Sequence, residues 1–518
     1  MDRYKGELLS DDTRRFLAQP KRMAIGGEWV EALGGGMLEV VDPASGQVFD
    51  RVPAGEATDI DRAVAAARRA FEQGDWPRMR PVDRERLLLR LAELVEAHAQ
   101  ELAEIEALDN GKPVTMARAV DVALVVDFLR YMAGWATKIE GSTMEVSVPL
   151  VRDREFFGYT RREPVGVVGA IIPWNFPLLM VAWKAGPALA SGCTMVLKPA
   201  EETPLSALRF AELVQQAGYP AGVFNVVTGH GHSAGAALAA HKGVDKVAFT
   251  GSTEIGKLVG KAALDNMTRV SLELGGKSPV IIAADADIDV AAKRIAWTKL
   301  INSGQICIAP DYLLVEASVR NQLVAKIGEA IKHFRSQETG GMRIVNERHF
   351  ARLTAALAAT KGTVAIGGGS DPAALTIEPT VVVDPDPGEP LMTDEIFGPI
   401  LPILTVANLD EAITFVNSRP KPLAAYLFTK TKAIRERVIS QVPAGGMLVN
   451  HLLFQFSTAK LPFGGVGPSG IGAYHGRYGF EEFSHRKSVL TKPTRPDLGA
   501  MIYPPYTEKA WKLARRLF

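Results

Sequence analysis

From residue 166 onward, short runs of β-branched and aliphatic residues alternate with helical segments, and this alternation constrains the fold more than any other feature. Strands are predicted at residues 167–172, 194–197, 223–227, 246–250 and 270–272, and helices at 178–190, 204–217, 234–240 and 254–264. Thr203 is the expected cap of the second helix, with Pro204 at its first position and Gly218 at its end. The pattern predicts a parallel sheet with right-handed crossovers, whose ligands bind beyond the carboxyl ends of the strands.

A second alternating stretch follows residues 302–311, with predicted strands at 312–315, 380–383, 402–406, 423–428 and 447–449. A chain of 518 residues exceeds what one hydrophobic core usually supports. The sequence therefore predicts an α/β protein with two parallel-sheet domains. Before them, leucine and valine residues recur at three- and four-residue steps between 87 and 102, which predicts one amphipathic helix covering a sheet.

Composition excludes several classes of protein. The formal net charge is +1 and no block of five or six like charges occurs, so we expect no nucleic-acid partner. The first seven residues lack the apolar core of a signal peptide, and the most apolar long window, 178–197, contains Lys184 and Pro187. Two cysteines are too few for a disulfide framework. We therefore expect a cytoplasmic protein without a transmembrane segment.

Polar and small residues follow five of the predicted strands of the first sheet. They are Trp174 and Asn175, Lys198 and Glu201, Gly229, Gly251 and Ser252, and Glu273. Each alone is more often a solvated loop residue, but together they predict a binding site at the carboxyl edge. In the segment TGSTEIG at 250–256, which ends at Gly256, a predicted strand is followed directly by the start of a predicted helix. Backbone N–H groups at such a helix start can bind a pyrophosphate. Lys198 and Glu201 could hold ribose hydroxyl groups.

The two cysteines have different surroundings. Cys193 enters a predicted strand, so we expect it to be buried and inert. Cys307 follows a predicted break between helix and loop at 302–306, where a thiol can face a cleft. No papain-type or caspase-type signature surrounds Cys307, and none of the nine histidines stands out as its partner.

Five segments resemble the aldehyde dehydrogenase superfamily: PWNFP at 173–177, FTGSTEIG at 249–256, LELGGK at 272–277, NSGQIC at 302–307 and EIFGP at 395–399. The resemblance runs from about residue 20 to 495. Residues 100–300 resemble the tetrameric branch, including its phenylacetaldehyde-type members, and the second half resembles the class 3, fatty and coniferyl aldehyde branch. Tyr474 stands where the tetrameric branch has a relay glutamate.

The resemblance implies roles for individual residues. Cys307 would be the nucleophile, Glu273 the general base and Lys184 a proton-relay group, and Asn175 would form the oxyanion hole with the Cys307 N–H. The cofactor would be NAD, or NADP, with Trp174, Lys198, Glu201, Gly229, Gly251, Ser252, Gly256, Glu395 and Phe397 around it. We expect nearby donors and the positive ring of the cofactor to favour the Cys307 thiolate, and the pKa of Glu273 to be moderately raised.

The resemblance also implies the domain boundaries: a Rossmann-like cofactor domain at 20–145 and 167–275, a catalytic domain at 276–468, and oligomerisation segments at 146–166 and 469–518. A homodimer or homotetramer and no metal site are expected. A short amphipathic helix near the C-terminus, around Trp511, would lie on a subunit surface near the substrate entrance or on a membrane surface.

The substrate tunnel would be lined by apolar residues: Phe176, Met180, Trp183, Ile306, Phe454, Phe456 and Phe463. They predict a medium- or long-chain aliphatic or an aromatic aldehyde, although each can equally be an ordinary core residue. Two alternatives remain open at this point. A catalytically silent relative should have lost Cys307 or Glu273, and a thiol esterase would turn over without nicotinamide.

Overall fold

The computed structural model describes residues 9–147, 156–335, 343–495, 503–509 and 511–512. The strands are β1 Met23–Ile25, β2 Glu28–Val30, β3 Met37–Asp42, β4 Gln47–Pro53, β5 Thr143–Met144, β6 Phe157–Pro164, β7 Val167–Ile171, β8 Thr194–Lys198, β9 Phe224–Val226, β10 Lys246–Thr250, β11 Arg269–Glu273, β12 Pro279–Ile282, β13 Tyr312–Glu316, β14 Thr363–Ile366, β15 Ser370–Asp371, β16 Thr376–Ile377, β17 Thr380–Val383, β18 Ile400–Val406, β19 Ala424–Phe428, β20 Gly446–Val449, β21 Gly470–Ile471 and β22 Ser484–Thr491.

The α-helices are α1 Asp11–Ala18, α2 Ala57–Glu72, α3 Pro81–Ala97, α4 Ala99–Asn110, α5 Val114–Met116, α6 Ala123–Ala136, α7 Pro177–Ser191, α8 Leu205–Ala217, α9 Ala236–Ala239, α10 Thr253–Leu264, α11 Ile288–Leu300, α12 Ala317–Arg335, α13 Glu347–Ala358, α14 Pro390–Thr393, α15 Leu409–Asn417, α16 Lys432–Gln441 and α17 Gly476–Glu482. Short 3₁₀ turns occur at Trp76–Arg78, Ile301–Gly304, Phe454–Phe456 and Gly467–Ser469, and π-helical turns at Ala117–Val122 and Gly231–Gly235. None of the helices in the described ranges is long and apolar enough to cross a membrane.

The first sheet has eight strands in the order β2-β1-β9-β8-β7-β10-β11-β21. Its central strands β9, β8, β7, β10 and β11 are parallel, which confirms the predicted α/β architecture. The edge beside β11 is closed by β21, a two-residue strand from far along the chain that pairs antiparallel with it. Helix α7 connects β7 to β8, and every one of its residues is buried.

The second sheet has seven strands in the order β14-β17-β18-β13-β12-β19-β20. All neighbours are parallel except β14 and β17. Strand β12, next to the centre of this sheet, is absent from the sequence prediction. A separate three-stranded sheet joins β22, β6 and β5, and it contains part of the segments predicted to mediate oligomerisation. The domain boundaries and the role of these segments stay predictions.

Two local predictions are wrong. The helix predicted across 87–102 is two helices, α3 and α4, because the backbone of His98 between them is not helical. Helix α3 packs mainly against α6, α7 and α8 and not against a sheet. Helix α8 begins after Pro204, which occupies the cap position, and the side chain of Thr203 makes no hydrogen bond. Its first N–H group, on Leu205, is instead bound by the carboxylate of Asp109 at 2.8 Å.

Candidate active site

The polar groups predicted at the carboxyl edge of the first sheet come from neighbouring strands. In the strand register Ile171 lies opposite Lys198, and Thr250 lies opposite Glu273. Because parallel strands end at the same edge, the segments that follow them start side by side. The sheet therefore brings Lys198, Thr250 and Glu273 to one edge, and Asn175 follows the central strand β7.

Cys307 comes to this region on a strained turn. After α11 ends, Asn302 and Ser303 adopt left-handed backbone conformations, with φ of 50° and 51°. Such φ values are uncommon for residues other than glycine and often mark functional sites. Next to them, a side chain on Gly304 would overlap the carbonyl oxygen of Gly398. The thiol of Cys307 is partly exposed at the end of this turn.

Cys193, in contrast, lies in the core. It is fully buried, and its thiol donates to the carbonyl oxygen of Phe483 at 3.3 Å. Burial raises the pKa of this thiol, so it stays protonated and unreactive. The two cysteines therefore differ in accessibility as the sequence predicts.

Amide side chains link the turn before Cys307 to the end of β7. The Asn175 side chain donates to the carbonyl oxygen of Gln305 at 3.0 Å. Asn302 donates to the carbonyl oxygen of Asn175 at 3.3 Å, and Asn110 donates to that of Trp174 at 2.8 Å. Sequence reasoning missed Asn110 as a site residue. This network holds the amide of Asn175 close to the cysteine segment.

Acidic groups surround the Cys307 thiol. Burial, followed by the charges of Glu395 and Glu273, raises the pKa of this thiol to about 12. Backbone N–H donors of Cys307 and Ile308 act in the opposite direction, as expected, but burial and the two acidic groups outweigh them. Burial and Asp311 raise the pKa of Glu395 to about 8. Its carboxyl group fits here only because Gly275 has no side chain, since a Cβ atom there would overlap it.

Glu273 has an unusual environment. Its side chain is buried, and neither carboxyl oxygen has a hydrogen-bond partner. Burial is the main cause that raises its pKa well above 4.5, with a further contribution from Glu482 and an opposing one from Lys184. The raised pKa agrees in direction with the sequence expectation and exceeds the moderate shift expected.

Lys184 lies in the same buried cluster. Its Nζ atom donates to Thr250 Oγ1 at 2.6 Å and lies 3.7 Å from the centre of the Tyr474 ring. Burial lowers the pKa of Lys184 to about 7, while Glu273 acts in the opposite direction. Tyr474 is fully buried, and its hydroxyl group has no hydrogen-bond partner.

The predicted cofactor residues lie beside this cluster. Lys198 Nζ is 2.9 Å from a carboxyl oxygen of Glu201, and the other oxygen accepts from the Gly231 N–H at 3.2 Å. His230, which sequence reasoning did not single out, lies 3.8 Å from Glu201. Ser252 caps α10 by accepting from the Ile255 N–H.

Glycines allow the close packing around these groups. A Cβ atom on Gly256 would overlap Leu274, one on Gly251 would lie 2.5 Å from the ring of Phe249, and one on Gly229 would overlap the Gly55 backbone. On the other side of the edge, Trp174 contacts the ring of Phe397 edge to face, with 5.5 Å between the ring centres. Phe397 itself has a positive φ of 49°.

The residues predicted to line a substrate tunnel fall into two groups. Two pairs of rings are in contact: Phe176 with Phe456 at 6.2 Å, and Trp183 with Phe463 at 5.0 Å between ring centres. Met180 and Ile306 are buried close by in the same hydrophobic core. Phe454 is half exposed, and its ring contacts are with Trp297 and His451. The ring contacts of Phe454 are therefore with residues outside the predicted lining.

Two polar residues near these rings were missed. The Nζ atom of Lys112, ion-paired with Asp121 at 2.8 Å, lies 3.8 Å from the centre of the Phe176 ring. The His475 ring is fully buried against Trp183, and neither of its nitrogens has a hydrogen-bond partner. A positive φ of 70° at His475 has no signal in the sequence.

One cluster outside this site has side chains suited to metal ions: Asp12, His98 and Glu101. The Arg209 guanidinium donates to Glu101 at 2.7 Å and lies 3.2 Å from the His98 ring. The Arg209 guanidinium therefore already supplies a positive charge beside Glu101 and His98. The expectation of no metal site stays a prediction.

Comparisons with known proteins agree on one family. A family model described as the aldehyde dehydrogenase family matches residues 29–489. The chain is 42% identical to a phenylacetaldehyde dehydrogenase of Pseudomonas fluorescens over 485 residues, covering 92% of this chain and 96% of that protein. It is 42% identical to the mitochondrial aldehyde dehydrogenase of Homo sapiens over 480 residues, covering 90% and 91%.

Solved structures give the same result. An aldehyde dehydrogenase from Bacillus cereus, solved as an NAD⁺ complex, matches with a TM-score of 0.89 and 39% identity over 93% of this chain and 99% of that one. A betaine aldehyde dehydrogenase from Staphylococcus aureus, also in complex with NAD⁺, matches with a TM-score of 0.89 and 32% identity over 94% and 98%.

Proposed function

The chain belongs to the aldehyde dehydrogenase family, and from that premise we propose that it oxidises a hydrophobic aldehyde to the carboxylic acid through a thioester on Cys307. The observation that carries the proposal is that Cys307, a partly exposed residue, lies close enough to the buried carboxyl group of Glu273 for that charge to act on its thiol. Both Cys307 and Glu273 are present, which argues against a catalytically silent relative.

NAD is the proposed cofactor, and the residues at the sheet edge fit it. The Lys198–Glu201 pair offers a cation and a carboxylate for ribose hydroxyl groups, and the start of α10 offers free backbone N–H groups for phosphates. Two similar structures are NAD⁺ complexes, which supports the same assignment. When bound, NAD accepts a hydride from the substrate carbon. We propose that NADP binds more weakly than NAD, because the Glu201 carboxylate would repel the 2′-phosphate of NADP.

Cys307 forms the bond to the substrate. Its thiol gives its proton to water, and the sulfur attacks the aldehyde carbon, so the π bond of the carbonyl group breaks and its electron pair leaves a negative charge on the substrate oxygen. Asn175 is held by Gln305 near this position, and its amide uses one of its two N–H groups for that bond. The other N–H and the backbone N–H of Cys307 are the proposed oxyanion hole, in which one donor typically contributes ~3 kcal/mol.

Glu273 completes the reaction. After the hydride has left, the thioester must react with water, and a carboxylate can take the proton from that water. The water oxygen bonds to the thioester carbon, the carbon–sulfur bond breaks, and the thiol and the carboxylic acid are released. A raised pKa gives Glu273 the proton affinity that a base needs, and Lys184 beside it can pass the proton on.

The substrate is proposed to be a medium- or long-chain aliphatic or an aromatic aldehyde. Support comes from the ring pairs Phe176 with Phe456 and Trp183 with Phe463. The similar phenylacetaldehyde dehydrogenase acts, by its name, on an aromatic aldehyde. The predicted domain division and a homodimer or homotetramer belong to the same proposal.

A matched pair of cysteine variants tests the mechanism. Cys307→Ala should abolish NADH formation from an aldehyde, because no thioester can form. Cys193→Ala, which changes a buried thiol that lies against Phe483, should keep most of the activity. Equal losses in both variants would refute the assignment of the nucleophile. Turnover of an ester by the parent protein without NAD, at the rate seen with aldehyde and NAD, would favour a thiol esterase.

A further inference from the structure

The aromatic ring beside Lys184 has no assigned role. Lys184 Nζ is fully buried, donates one hydrogen bond to Thr250, and lies 3.7 Å from the centre of the Tyr474 ring. No carboxylate of the described residues lies within 4.0 Å of this nitrogen, whereas the buried lysines Lys112 and Lys246 each have an acidic partner at that range. The ring face is therefore the close counterpart of the Lys184 charge.

The ring and the hydroxyl group of Tyr474 differ sharply in their contacts. An ammonium group has three N–H donors, and Thr250 accepts only one of them. The negative face of an aromatic ring attracts the remaining positive charge, and this attraction is strongest where water is excluded. The hydroxyl group of Tyr474 makes no hydrogen bond. The ring of Tyr474, and not its hydroxyl group, is thus the part that interacts with Lys184.

Lys184 and Glu273 can share one proton in two ways. If Lys184 is charged, Glu273 is a carboxylate and can accept a proton from water. If Lys184 is neutral, Glu273 is protonated and cannot. We propose that the ring of Tyr474 is a positioning group that favours the first state, and so keeps Glu273 ready to act as the base. This inference rests on the proposed function of Glu273.

Other charges face the same pair. Lys246 lies on β10 together with Thr250, and it donates to Ser271 at 2.5 Å and to Glu482 at 3.0 Å. Its charge opposes protonation of Lys184, and the charge of Glu482 opposes ionisation of Glu273. Both neighbours therefore disfavour the charged pair. The ring of Tyr474 and the hydroxyl of Thr250 act in the opposite direction.

The test compares Tyr474→Phe with Tyr474→Leu. The first keeps the ring, and its thioester hydrolysis rate should stay within about twofold of the parent rate. The second removes the ring, and its hydrolysis rate at pH 7 should fall about tenfold while the first burst of NADH keeps its amplitude. The deficit of Tyr474→Leu should shrink as the pH rises, because Glu273 is then a carboxylate whatever the state of Lys184.

The control variant is Phe483→Leu. This ring lies 6.2 Å from the Tyr474 ring and 5.4 Å from Lys246, so its loss damages the same packing but leaves the Tyr474 ring over Lys184. Its deficit, if any, should not depend on pH. If Tyr474→Leu does not fold, phenylalanines with one, two and three ring fluorines at position 474 keep the shape and weaken the ring charge stepwise. Hydrolysis should then slow with each fluorine.

Three outcomes would overturn the proposal: equal losses in Tyr474→Phe and Tyr474→Leu, a deficit that does not change with pH, or a flat fluorine series. None of them bears on whether Cys307 forms the thioester, which the cysteine pair tests separately. A wrong assignment of Glu273 as the base would give a different result again, because Glu273→Gln would then turn over steadily.

Discussion

Replacing the buried acid Glu273 by glutamine should stabilise the protein and stop its turnover. The exchange keeps the shape of the side chain but removes its ability to ionise. Glu273 is buried among groups that leave both of its oxygens without a hydrogen bond. The loss of the carboxyl group therefore removes no direct contact, and its effect on stability comes from the proton equilibrium.

The magnitude follows from the pKa of Glu273, which folding raises well above 4.5, mainly by burial. Above pH 4.5 the unfolded chain releases this proton while the folded protein keeps it, so stability is present at low pH and is lost as the pH rises. Each pH unit in this window costs the folded state ~1.4 kcal/mol. This loss continues up to the raised pKa of Glu273 in the folded protein, and Glu273→Gln avoids it.

Chemical unfolding of the parent and the variant at pH 5 and pH 7, followed by tryptophan fluorescence, measures this difference. Glu273→Gln should be more stable than the parent at pH 7, and the difference between the two should be smaller at pH 5. In the same variant, rapid mixing with aldehyde and NAD should give one burst of NADH and then a rate reduced ~100-fold or more. Glu482→Gln is the control, because it leaves the buried Lys246 ammonium unpaired and should destabilise the protein. A stability difference that does not vary with pH would refute the reasoning.

Three other predictions concern the thiol, the cofactor and the substrate. With a pKa of about 12 for Cys307, its alkylation by iodoacetamide in the cofactor-free Cys193→Ala variant should accelerate about tenfold per pH unit from pH 7 to 9, and a plateau near pH 8 would contradict it. Glu201→Ala should lower the ratio of kcat/KM with NAD to kcat/KM with NADP at least ~10-fold. The reason is that Lys198 loses its carboxylate partner at 2.9 Å and can then bind the 2′-phosphate of NADP. An unchanged ratio would contradict this prediction. From acetaldehyde to decanal, kcat/KM should rise several-fold for every two carbons added, since each buried methylene contributes ~0.8 kcal/mol. Trp183→Ala should make this rise smaller. A kcat/KM of the parent that does not change with chain length would exclude the hydrophobic tunnel.

The five parallel strands of the first sheet could be predicted because they are mostly apolar and separated by helices with clear ends, whereas β1 and β2 were not predicted. β10 matches its predicted range, and β7, β8, β9 and β11 differ from theirs by one or two residues at their ends. β12 was missed because it has only four residues and follows the turn-like Gly275-Gly276 segment, so its burial on both faces depends on the partners β13 and β19. β21 has two residues, and no sequence pattern can identify such a strand.

At the site, residue types at the strand ends could be predicted, but the contacts that tune them could not. The pKa of Cys307 depends on Glu395, which lies 88 positions away and fits only beside Gly275. The placement of Tyr474 over Lys184 depends on the backbone bridge that Tyr474 forms with Phe463. The C-terminal helix stays a prediction, because residues 513–518 lie outside the described residues; within the described part, Trp511 is exposed.

The pairing of β11 with β21 also determines when the surroundings of Glu273, the proposed base, can be completed during synthesis. Glu273 lies opposite Gly470, and the Leu274 N–H donates to the Ser469 carbonyl oxygen at 3.1 Å. A ribosome releases the chain from its N-terminus, so one edge of β11 stays unpaired until almost two hundred further residues, up to β21, have left the ribosome. Open edges of this kind attract other strands. Chains that terminate before residue 469 should therefore aggregate, and each full-length chain should gain activity only in the last stage of its folding.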